Sequence, residues 1–112
     1  MKWNLPFVLC IAVATLAAPA ARADDNGLAA AIHTLKREGR KLCMDGHFHS
    51  GTSAGMPSKA AAMKDAAASW SSFTTFEYGT DWASWNKAAN KSATCTQSGS
   101  GWGCDIEARP CK

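Results

Sequence analysis

Four cysteines, Cys43, Cys95, Cys104 and Cys111, constrain this chain more than any other feature. A fifth, Cys10, lies in the opening stretch MKWNLPFVLCIAVATLAAPAARA, where Lys2 precedes an apolar run from Leu5 to Ala18 and the small residues Ala21 and Ala23 stand before Asp24. That pattern is a secretory signal peptide over residues 1–23, removed after Ala23. The apolar run falls short of the ~20 residues that span a bilayer. Bulky Leu9 ahead of Cys10 argues against a lipid-modified cysteine, so no stable membrane anchor is expected. Export would place the remaining even set of cysteines in an oxidising periplasmic or extracellular compartment, where two disulfides are the expected state. Their spacing lacks the paired C-x-x-C of a zinc knuckle. Residues 24–112 then read as a single small domain, of a size at which covalent staples commonly supplement a modest core.

Charge narrows the partners. The formal net charge is +3, but Lys2 and Arg22 in the leader carry two of those three charges. A near-neutral domain has little electrostatic reason to bind a polyanion, so no nucleic-acid partner is expected. The one basic run, Lys36, Arg37, Arg40 and Lys41, is interrupted by Glu38 and reads as a solvated helix end.

The longest periodic stretch runs from Pro57 to Gly79. Met63, Ala66/Ala67, Trp70, Phe73 and Phe76 recur at helical spacing, Pro57 suits a helix start and Gly79 a helix stop. Upstream, Leu28, Ile32 and Leu35 with Gly39 as a stop predict a short helix over Leu28 to Glu38. Arg40 to Ser50 alternates like a strand, with Leu42, Met44 and Phe48 against Cys43, Asp45, His47 and His49. Downstream, TDWASWNKAAN fits a helix better than a strand, although its two tryptophans suit either. From Lys91 onward two alternating runs flank Ser98 to Gly101, a hairpin signal that sets Cys95 opposite Cys104. Of the three connectivities four cysteines allow, this geometry favours Cys95 with Cys104 and Cys43 with Cys111. The fold class is α+β: a small antiparallel sheet packed on one central helix, with a short N-terminal helix and two disulfides. Trp70, Phe73, Phe76, Trp102 and Ile106 are its expected core.

The pattern Glu77-Tyr78-Gly79, Trp82, Trp85, Ala88, Lys91, Cys95, Trp102, Cys104 and Ala108-Arg109-Pro110-Cys111, preceded by Cys43 and His47-Phe48-His49, resembles a group of small exported proteins of rhizobium-like bacteria. The resemblance covers most of residues 24–112. It implies a bacterial exported domain and no particular substrate.

Four constellations could carry chemistry. Gly51-Thr52-Ser53-Ala54-Gly55 matches the G-x-S-x-G nucleophile elbow, but that machinery needs a histidine after the serine, and the last histidine is His49. A Gly/Ser-rich turn is the better reading. Asp45, His47 and His49 would share one face of a continuous strand, and two imidazoles with a carboxylate suit Zn²⁺, Cu²⁺ or Ni²⁺. Ser58 and Lys59 at a helix N-terminus form a candidate anion site; an ordinary capped helix is the better reading. Trp82 and Trp85 are a candidate surface for a protein or glycan partner. With no paired carboxylates, redox C-x-x-C or nucleotide loop, the expectation is a non-enzymatic exported binding or interaction module. The alternative is a small periplasmic transition-metal-binding protein using Asp45, His47 and His49.

Overall fold

A computed structural model of the chain describes residues 33–112. Two antiparallel sheets and one long helix make up this region. The first sheet is a hairpin of β1 (Leu35–Glu38) and β2 (Lys41–Met44), with Leu35 opposite Met44 and Glu38 opposite Lys41. Gly39, at φ +61°, supplies the positive φ that this tight turn requires at its first central position. The predicted N-terminal helix is corrected accordingly: its Leu35–Glu38 portion is a strand, and residues 28–32 lie outside the described region. The basic run Lys36 to Lys41 is therefore the turn end of a hairpin.

The second sheet has the order β3-β5-β4, built from β3 (His49–Thr52), β4 (Ala89–Ser98) and β5 (Gly101–Arg109). The β4–β5 hairpin turns at Gly99 and Ser100 and pairs Cys95 with Cys104, as its alternation predicts. Both disulfides follow: Cys95–Cys104 staples this hairpin, and Cys43–Cys111 ties β2 to the C-terminus. In the chain-entropy account they contribute roughly 3 and 4 kcal/mol. Around the second bridge, Met44 N–H donates to the Pro110 carbonyl, and Leu42 and Lys112 exchange backbone hydrogen bonds, each at 2.9 Å. The two sheets are thus sewn together by the last residues of the chain.

Helix α1 (Lys59–Tyr78) lies across β3 and β5. Its Ser58 hydroxyl caps the first turn, accepting from Ala61 N–H at 3.1 Å. Ala62, Ala66, Trp70 and Thr74 form its fully buried line, a ladder of i+4 steps. Small residues there allow the backbone of β3 to approach closely. A Cβ at Gly51 would fall 2.3 Å from the Ala66 carbonyl oxygen and 2.7 Å from Trp70 N. Trp70 fills the remaining space, donates its indole N–H to the Ala108 carbonyl at 3.3 Å and packs on Ile106 and Cys104.

The expected core is right in Trp70 and Ile106, while Trp102 is half-buried. It is wrong in Phe73 and Phe76, which are 60% and 90% exposed. Their places are taken from the segment after the helix. Two short 3-10 turns, Thr80–Trp82 and Trp85–Lys87, replace the longer helix expected there. Trp82 enters a second core with Met44, flanked by Leu35, Leu42 and Tyr78. Trp85 meets Trp70 edge-on at 5.3 Å.

Candidate functional site

A groove of about 1110 Å³ runs along the open edge of β3, between the C-terminal half of α1 and the outer face of the second sheet. Ladder phase exposes that edge. Ser53 N–H donates to the Cys104 carbonyl at 2.9 Å, so alternate residues of β3 face β5 and the backbone groups of Ser50 and Thr52 turn outward. Thr52 N–H meets only the Ser69 hydroxyl, at 3.4 Å. Across the sheet face, Ser50 aligns with Glu107 and Ser92, and Thr52 with Asp105 and Thr94. Thr52 donates its hydroxyl to Asp105 at 2.9 Å, which fixes that carboxylate in place.

The helix supplies the opposite wall through Phe73, Glu77 and Tyr78, and the chain entering β3 supplies His47, Phe48 and His49. His49 is only 7% exposed and lies with Nε2 2.9 Å from Glu77 Oε2. Burial outweighs the neighbouring carboxylate and holds its pKa below the usual 6.5, with small further pushes from His47 and His33. The imidazole is therefore neutral at neutral pH, and the contact is a hydrogen bond donated to Glu77 rather than an ion pair. Burial and then the same carboxylate push the Tyr78 phenol up to about 12. Tyr78 also lies edge-on to His49 at 4.9 Å and to His33 at 5.1 Å. His33 completes a cluster of all three histidines, its Nδ1 3.2 Å from His47 Nε2.

The strand-face argument for Asp45, His47 and His49 needs correction. β2 ends at Met44, and the chain turns at Asp45 and Gly46, the latter at φ +70°, before β3 starts at His49. Among the described residues, three potential ligand atoms come within 4.8 Å of one another only at Glu38, Cys43 and Cys111. Both of those sulfurs are committed to a disulfide. Ser58 uses its hydroxyl as the helix cap, and Lys59 is exposed beside it. Trp82, at 1% exposure, offers no open surface; Trp85 is half-buried with the Lys91 ammonium 5.3 Å above its ring.

Two polar residues hold the frame around the groove in ways the sequence did not specify. The Ser53 hydroxyl donates to the Ala62 carbonyl at 2.7 Å and accepts from Cys104 N–H at 3.0 Å, pinning the loop between helix and sheet. Its place in the G-x-S-x-G pattern is thus structural. Arg109 is buried and joins both sheets, donating to the Met44 carbonyl at 2.8 Å, to Asn90 Oδ1 and to Glu38. A buried guanidinium requires such partners; its position at the end of an alternating strand was the available signal.

Among the described residues, no helix is long and apolar enough to cross a membrane. Two disulfides suit a secreted or periplasmic setting. Compared with protein-family models, curated proteins and solved structures, the chain matches none.

Proposed function

We propose that this protein is an exported, non-enzymatic binding module whose groove receives an extended, positively charged segment of a protein partner. One observation carries the reading: the groove presents Glu77, Asp105 and Glu107, and among the described residues no lysine or arginine lines it. With His49 neutral, the wall potential is negative, which attracts cationic side chains and sets their register. The outward backbone groups of Ser50 and the Thr52 carbonyl supply pairing positions for an added strand, the usual way an extended peptide joins a sheet edge. Exposed aromatic rings of Phe48 and Phe73 supply apolar contact on either side. The N-terminal leader pattern and the two disulfides support export.

The test is an amide NMR titration of the oxidised protein with a short peptide alternating lysine and aromatic residues, run beside an uncharged oligosaccharide. The expected result is saturable shifts at residues 48–52 and 69–78 with the peptide, weakening as salt rises. Shifts there with the oligosaccharide alone, or none in that region, would overturn the peptide reading.

A further inference from the structure

We infer that His33 and His47 form a transition-metal site at the mouth of the first hairpin, with Cu²⁺ preferred over Zn²⁺ and Ni²⁺. The two ring nitrogens stand 3.2 Å apart, Nδ1 of His33 facing Nε2 of His47. Two imidazoles bound to one tetrahedral ion, with bonds of ~2.0–2.1 Å, hold their nitrogens about 3.3–3.4 Å apart. The observed gap lies within a few tenths of an ångström of that edge length.

The hairpin pre-arranges the pair. Asp45 N–H donates to the Thr34 carbonyl at 2.8 Å, extending the β1–β2 ladder one step and placing His33 and His47 just beyond its open end. The rings meet nearly at right angles, 77°, with centroids 4.3 Å apart, and Tyr78 packs edge-on against His33 from behind. Without metal, one neutral imidazole donates its N–H to the other. For an ion to bind, the donating ring takes its other tautomer and carries the proton on its distal nitrogen, so both facing nitrogens offer lone pairs and a proton is released only where an imidazole was charged.

His49 stays outside the coordination set: its Nε2 is committed to Glu77, and it completes no close three-ligand group with His33 and His47. Asp45 lies in the turn and does not complete a close three-ligand group with the histidines. Two protein ligands leave the remaining positions to water, on the side that opens to the groove. Imidazole suits all three ions, and their intrinsic order places Cu²⁺ first.

Calorimetric titration of the oxidised protein with CuCl₂, ZnCl₂ and NiCl₂ at neutral pH tests the site, with imidazole ¹⁵N shifts recorded in the Zn²⁺ series. The expected result is one equivalent bound, Cu²⁺ most tightly, with the ring nitrogens of His33 and His47 shifting and those of His49 unmoved. His33→Ala and His47→Ala should each weaken binding at least tenfold, while Asp45→Asn leaves it unchanged. Neither histidine belongs to a buried core cluster, so amide shifts should change only around the substituted ring and its aromatic neighbours. Binding that survives both alanine variants, depends on Asp45, or is absent for all three ions would overturn the assignment.

Discussion

The two sides of α1 obey opposite rules. Toward the sheet, Ala62, Ala66, Trp70 and Thr74 are fully buried, and three of these four side chains are small. Away from it, Phe73 and Phe76 stand largely in solvent. Hydrophobicity alone would reverse that arrangement. What decides it is distance: β3 passes so close beneath the helix that only a glycine fits at position 51, and beside the alanines there is room on that side for a single large ring, Trp70. Burial on the close side comes from many contacts between small groups and one large indole. The open side contributes to a groove instead.

The sharpest way to break this contrast is Gly51→Ala. The added methyl meets backbone atoms of Ala66 and Trp70, which cannot rotate away, so a loss of ~3 kcal/mol or more is expected. A urea midpoint close to that of the parent would mean that the helix does not sit on β3 as described.

A smaller effect separates the buried histidine from its exposed neighbours. Because the His49 pKa is lowered in the folded protein, the unfolded chain binds more protons between that lowered value and 6.5. The contribution of a neutral His49 is therefore fully present above pH 6.5 and is lost as pH falls through the folded-state pKa. Urea midpoints should decline from pH 7.5 toward pH 5, and His49→Gln should flatten part of that decline. An unaltered slope in the variant would assign the acid sensitivity to other groups.

The same contrast explains how much of the molecule is legible in the sequence. The β4–β5 hairpin can be read because alternation, a Gly-Ser turn and two cysteines at matched distances from it all demand one register. The helix bounds can be read from Pro57 and Gly79. Its orientation cannot, since Ala62 and Ala66 carry almost no hydropathy signal beside Phe73 and Phe76, although their i+4 steps to Trp70 and Thr74 mark the packed line. Gly39 misleads for a physical reason: a positive φ ends a helix and turns a hairpin equally well. Asp45-Gly46 is a turn signal hidden inside an apparent strand alternation. Of the candidate site, His47 and His49 were visible as ligand-type residues. The partnership of His33 with His47 depends on hairpin closure, and that of His49 with Glu77 on the helix lying over β3.

The most direct test of the division between a packed face and a binding face is Phe73→Ser, measured for both urea stability and affinity for the lysine-aromatic peptide. An exposed ring that only contacts a partner should leave stability within about 0.5 kcal/mol of the parent while weakening the peptide at least tenfold. A large loss of stability with unchanged peptide affinity would contradict the account, because it would place Phe73 in the fold rather than in the groove.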